Sequence, residues 1–162
     1  EIWDVEQRGG VRVDGTVHTV DGAKRGPAPA HDIPVWVGAL GPKMLELVGT
    51  HADGWLPSLS YLPGGLAGLP LLNTRIDDAA RGAGRQPSDI RRLINLGGAF
   101  ADEEARLLSG PPESWAAELA WLTAKHGITG FILAADDAET IEIFGSVVAP
   151  ATRALVDAAR QG

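Results

Sequence analysis

Ile33-Pro34-Val35-Trp36-Val37-Gly38-Ala39-Leu40-Gly41-Pro42-Lys43-Met44-Leu45 is the stretch that decides the fold. Its first five residues form a nearly continuous apolar run, which suits a strand buried on both faces, as in parallel sheets. Gly38-Ala39-Leu40-Gly41 reads as the turn that follows. Pro42 suits the first position of a helix, where its missing N–H costs nothing. Met44, Leu45, Leu47 and Val48 then place apolar groups on one helix face. Asp53-Gly54 closes the helix unit, and Trp55-Leu56-Pro57 begins another strand. Residues 33–58 are therefore expected to form a strand–helix–strand unit of an α/β protein.

Upstream, residues 11–20 alternate apolar and polar positions around Asp14-Gly15, a short β-hairpin signal. Residues 21–32, rich in Gly, Pro and Ala and carrying Lys24 and Arg25, read as an ordered loop. Downstream, residues 58–72 are loop-like, with room for a turn of helix. A weaker helix is expected over 72–83, with Ile76, Ala79, Ala80 and Ala83 at helical spacing and Gly84 as its stop. Residues 90–100 hold the next strand, centred on Leu93-Ile94-Asn95-Leu96. Pro111-Pro112-Glu113 opens a helix through Lys125, with Trp115, Leu119 and Leu122 as its buried stripe. Gly127 closes that helix, and His126 stands in its last turn, where a cation suits the dipole. Residues 128–135 are expected to form another buried strand. Ile141, Phe144, Val148 and Leu155 mark a final helical region interrupted at Pro150. The order is a hairpin followed by β-α-β-α-β-α-β-α, which argues for a parallel sheet with crossover helices. One domain is expected over residues 1–162, with 11–32 as a hairpin and loop insertion.

The chain has 162 residues, 44% hydrophobic and 22% charged, with a formal net charge of −7. That balance gives no general attraction to nucleic acid or to an anionic membrane. There is no cysteine, which removes disulfides, thiolate metal sites and a cysteine nucleophile. No apolar run reaches the roughly 18 residues of a membrane span, and a cytoplasmic setting is expected. Glu1-Ile2-Trp3-Asp4 has no signal-peptide character. It reads as the end of a helix, so further residues are expected ahead of Glu1.

The chemistry suggested by these residues begins at Gly38-Ala39-Leu40-Gly41-Pro42-Lys43-Met44. The first N–H groups of a helix lack internal partners, and the helix dipole makes that end favourable for an anion. Glycines there let backbone approach a phosphate, and Lys43 can add positive charge. A plain tight turn with a solvated Lys43 explains the same spacing. The third glycine and acidic partner of a dinucleotide fingerprint are not evident. Ser58 and Tyr61 fall at or just past the C-terminal end of a strand, the edge where parallel α/β folds bind ligands. Asp53, Gly54 and Trp55 read first as turn and packing. Asp136-Asp137 and Glu103-Glu104 read first as solvated loop charges, the former being the less bland because it follows a strand. His18, His31, His51 and His126 do not share metal-ligand spacing. Gly-x-Ser-x-Gly is absent, and no general base or nucleophile stands out.

Several of these segments together resemble one family. They are Val20-Asp21-Gly22-Ala23, Gly26-Pro27-Ala28-Pro29, Ile33-Pro34-Val35-Trp36-Val37-Gly38-Ala39, Gly41-Pro42-Lys43-Met44 and Ala52-Asp53-Gly54-Trp55. Gly110-Pro111-Pro112-Glu113, Trp115, His126-Gly127 and Val148-Ala149-Pro150 extend the likeness. The chain resembles the second half of luciferase-like flavin-dependent oxidoreductases, a family of eight-stranded α/β barrels. The resemblance implies FMN or a 5-deazaflavin coenzyme, with a lean to the deazaflavin, and hydride transfer or monooxygenation of a small molecule. It also implies that Gly38, Ala39, Leu40, Gly41, Pro42, Lys43 and Met44 hold the cofactor phosphate, and that Ser58 faces substrate or cofactor.

A complete barrel of this kind needs about 250 residues. The chain is thus expected to be the C-terminal half of a TIM barrel, four βα units after a short β-hairpin. Half a barrel leaves two open strand edges. Either the protein is longer, which is the leading expectation, or the piece pairs with a second copy as a homodimer, or it is poorly stable. The family's catalytic polar residues lie mostly on earlier strands, so no catalytic residue is assigned. The rival functions are a non-catalytic flavin- or phosphate-binding module, a truncated homologue without activity, and a structural piece.

Overall fold

The computed structural model describes residues 9–24, 26 and 29–161. The reading of Glu1-Ile2-Trp3-Asp4 as a helix end lies outside them, as does Arg25. The chain divides into two compact units, Glu1–Pro34 and Val35–Gly162.

In the first unit, β1 (Gly10–Asp14) and β2 (Thr19–Lys24) pair antiparallel with a bulge between Val11 and Arg12. The Gly15 N–H donates to the His18 carbonyl and closes the turn. The second strand runs to Lys24, so the loop expected from residue 21 starts later. The reason is cross-strand pairing: Ala23 and Lys24 stand opposite Val11 and Gly10.

The second unit opens with β3 (Trp36–Val37) and α1 (Pro42–His51), followed by β4 (Gly54–Trp55). Two short 3-10 turns, Leu59–Tyr61 and Gly65–Gly68, lead into α2 (Leu69–Gly82). That helix starts three residues earlier than its spacing suggests, because Pro70 fits the first turn. Next come β5 (Arg91–Leu96) and two short strands, β6 (Ala99–Phe100) and β7 (Ser109–Gly110). Then α3 (Pro112–His126) ends at Gly127 in the left-handed conformation. It is followed by β8 (Gly130–Leu133) and a long helical segment. That segment comprises α4 (Ala138–Ile143), one π turn (Phe144–Val148) and α5 (Ala149–Gln161). The interruption expected at Pro150 is this π turn, set just before the proline. Pro150 cannot donate to a carbonyl four residues back, and the wider turn accommodates it.

The main sheet is parallel, in the order β3-β4-β5-β8. Sequential strands lie side by side and helices connect them. Trp55, Ile94 and Leu96 point to the helix-covered face and join Leu45, Ile76, Leu119 and Leu122 in one core. Trp36 and Leu93 point to the opposite face, where they fill the space above Gly54 and Gly130. Large and small residues thus alternate across that face, as they do in the layers of a barrel interior.

Two expectations about the first strand need correction. It is two residues long rather than five, and it is not buried on both faces. Pro34 has no N–H, and the Val35 N–H is captured at 2.7 Å by the Asp53 carboxylate, so the ladder with β4 starts only at Trp36. This strand lies at the sheet edge, and helices cover only one face; Trp36 is 40% exposed.

Candidate functional site

Residues at the C-terminal ends of the four strands converge on one edge. After β3, the turn 38–41 leads into α1. The buried Trp55 indole donates to the Ala39 carbonyl at 2.7 Å and pins this turn to β4. At Gly38 an added Cβ would stand 3.0 Å from the Leu56 carbonyl, so any side chain, alanine's included, would press on that backbone. Gly41 caps the helix with an ordinary φ of −72°, and nothing lies within 4 Å of where its Cβ would be. Its approach side is therefore open.

The helix start offers few but well-defined donors. Pro42 has no N–H. The Met44 and Leu45 N–H groups both donate to the Gly41 carbonyl at 3.0 Å. Among the described residues, the N–H groups of Ala39, Leu40, Gly41 and Lys43 have no acceptor. Lys43 is exposed and makes no ion pair with a described residue. Such a donor set, with a positive helix end, a bare Cα and a free ammonium, fits a phosphate. Met44 contributes neither its N–H nor a charge; its half-exposed side chain borders the turn.

Ser58 sits at the same edge, just past β4. It forms a parallel bridge to Asn95 on β5, and the Asn95 amide lies 3.5 Å from the Ser58 hydroxyl. The Asn95 N–H donates to the Pro57 carbonyl at 2.8 Å. Both side chains belong to the face that carries Trp36 and Leu93. Asn95 was not singled out from the sequence, although a lone amide inside the apolar run Leu93-Ile94-Asn95-Leu96 is a signal for a polar group at a strand's C-terminal end. Tyr61 is 75% exposed in the 3-10 turn beyond Ser58.

Other candidates have structural work. The Asp53 carboxylate holds the Val35 N–H, and its backbone links β3 to β5. Asp137 caps α4 by accepting from the Thr140 N–H at 2.8 Å, which lowers its pKa below the usual carboxylate value. Glu104 accepts a hydrogen bond from the Ser114 hydroxyl. Among the described residues no three His, Asp or Glu side chains gather as a metal site. At the other end of the sheet, buried Arg92 pairs with Asp77 at 2.5 Å and with Asn73 at 3.0 Å. Desolvation lowers the Arg92 pKa, and Asp77 opposes that shift.

Two clefts of this unit lie away from the turn. One of about 480 Å³ lies among α3, β8 and α5, and another of about 610 Å³ surrounds Arg92.

Residues 1–142 match the family model described as luciferase-like monooxygenase. An 80-residue stretch is 36% identical to a 5,10-methylenetetrahydromethanopterin reductase of Methanolobus tindarius, covering 49% of this chain and 23% of that protein. The fold is similar to an F420-dependent secondary alcohol dehydrogenase solved with an F420-acetone adduct. That match has a TM-score of 0.67 and 18% identity, and covers 94% of this chain and 58% of the other. It is also similar to a riboflavin lyase solved with modified FMN and riboflavin, with a TM-score of 0.69 and 12% identity, over 93% of this chain and 50% of the other. The aligned stretch therefore spans about a quarter of the reductase, and the chain spans 58% and 50% of the two solved chains. Its four parallel βα units are the C-terminal half of a TIM barrel.

Proposed function

The chain belongs to the luciferase-like monooxygenase family, and from that premise we propose that it is the cofactor-phosphate half of a cytoplasmic flavin-type oxidoreductase acting on a small molecule. The observation that carries this reading is the open start of α1. Four unpartnered backbone N–H groups and the free Lys43 ammonium lie at the C-terminal edge of a parallel sheet. An anionic group placed there gains charge-assisted hydrogen bonds without displacing any protein acceptor.

The turn formed by Gly38, Ala39, Leu40, Gly41, Pro42, Lys43 and Met44 would hold the phosphate that ends the ribityl arm of FMN, or the equivalent phosphate of coenzyme F420: the Ala39, Leu40, Gly41 and Lys43 N–H groups and the Lys43 ammonium would contact it, Gly38 and Pro42 would shape the turn, and the Met44 side chain would border it. The lean to the deazaflavin rests on the family resemblance; of the similar solved structures, one holds an F420 adduct and another a modified FMN. When bound, the cofactor supplies hydride transfer or oxygen activation. Residues of this chain anchor its phosphate, and Ser58 and Asn95 orient the ligand from the sheet face. Closing the barrel requires four more strands, from a longer chain or from a second copy. No catalytic residue is assigned here. The non-catalytic flavin-binding module is the second reading; among the described residues the site offers donors for an anion and no assigned catalytic group.

Fluorescence titration with FMN and with coenzyme F420 tests the anchor. Binding of one of them, competed by inorganic phosphate, is the expected result. Absence of binding to either would sink the phosphate reading. Turnover by a protein with all eight strands separates enzyme from binding module.

A further inference from the structure

Residues 97–110 form a strap that leaves the sheet at the C-terminal end of β5, directly after Asn95 and Leu96. It returns through β7 to the start of α3. Its two arms pair in parallel, with the Ala99 N–H on the Leu108 carbonyl and the Ala101 N–H on the Gly110 carbonyl, each at 3.1 Å. Leu108, at φ +57°, is the one non-glycine residue with a left-handed backbone among the described residues, and it is fully buried. A branched side chain adopts that conformation only where its surroundings impose it.

Three contacts from the first two turns of α3 impose it here. The Glu118 carboxylate accepts the Leu108 N–H at 2.7 Å. Ser114, one helical turn earlier on the same face, donates to Glu104 on the strap. The Trp115 ring lies against Gly98, where an added Cβ would also stand 2.0 Å from the Leu108 carbonyl. A loop meant only to connect β5 to α3 needs no strained residue. Strain of this kind concentrates at functional sites, and this strap begins two residues after Asn95, at the C-terminal end of β5.

We infer that Glu118 is a positioning residue: by holding the Leu108 N–H it fixes the strap 97–110 as one wall of the flavin-type cofactor's site. The inference rests on the cofactor reading above. Its test uses Glu118→Ala and Glu118→Gln in the full chain. Hydrogen exchange over residues 99–110 is measured beside titration with FMN and with coenzyme F420. Glu118→Ala should speed exchange at Leu108 and raise the Kd of the cofactor that the wild type binds by about tenfold, because binding would then have to order the freed strap. Glu118→Gln keeps an acceptor oxygen and should stay within about threefold of wild type. If Glu118→Ala does not fold, Ser114→Ala, which removes the neighbouring clasp, should raise the Kd by about threefold. A folded Glu118→Ala, or Ser114→Ala in its place, that binds as tightly as wild type overturns the inference while leaving the cofactor reading intact. So does an unchanged exchange pattern. A wild-type chain that binds neither cofactor overturns both.

Discussion

Replacing Gly41 with alanine separates a phosphate anchor from an ordinary turn. The backbone at Gly41 has φ −72° and ψ 145°, and no atom lies within 4 Å of the added methyl. Folding should barely notice the change. Alanine is a poorer helix cap than glycine by roughly 0.5–1 kcal/mol, and it offsets this by restricting the unfolded chain, worth about 0.4–1 kcal/mol. The net effect is within about 0.5 kcal/mol, or a shift in Tm of no more than about 2 °C for a chain of this size. Binding should respond far more. The methyl occupies the approach side of a donor set made of the Ala39, Leu40, Gly41 and Lys43 amides, and displaces the phosphate from it. Charge-assisted hydrogen bonds contribute about 1.5–3 kcal/mol each. Weakening two of them together by about 2 kcal/mol raises Kd roughly 30-fold. The assay is paired: a thermal melt and a fluorescence titration with FMN and coenzyme F420 on the same samples. Unchanged affinity in a variant with unchanged stability would refute the anchor. A large loss of stability would refute the claim that the space before Gly41 is open.

Lys43→Gln should weaken cofactor binding only a few-fold, because Lys43 is exposed, and the difference should vanish above about 0.5 M salt as screening removes it; titrations across salt concentration read this. Asp77→Ala leaves the Arg92 guanidinium buried with only Asn73 and the Ile90 carbonyl, and should cost about 2–4 kcal/mol of stability by chemical denaturation. Asp137 has a folded pKa below its unfolded one. Its contribution to stability is therefore present above the unfolded value and is lost as pH falls through the folded one. Asp137→Asn should flatten the acid limb of a stability-versus-pH curve below the ordinary carboxylate range and leave neutral pH behaviour largely unchanged.

Two features link the fold to its site. The Trp55 indole, buried in the core, ends on the Ala39 carbonyl, so packing of the helix-covered face sets the position of the candidate phosphate turn. Gly54 and Gly130 leave room for Trp36 and Leu93 on the other face. That layered pattern is what four further strands would close over.

The sequence by itself determined the elements whose causes are local. Pro42 starts α1, Gly127 ends α3, Asp14-Gly15 turns the hairpin, and the alternation of apolar runs with helical stripes implies a parallel sheet. Each of these depends on residues within a turn or two of one another. The motif at residues 38–44 was legible for the same reason. Only the tertiary structure decided the rest. The shortness of β3 depends on Asp53, 18 residues from the Val35 N–H it captures. The meeting of Ser58 and Asn95 joins positions 37 residues apart. Leu108 turns left-handed because Glu118, on the next helix, holds its N–H. Apolar periodicity records which face of an element is buried. It does not record which distant polar group will meet a given N–H, and at this site those meetings set the geometry.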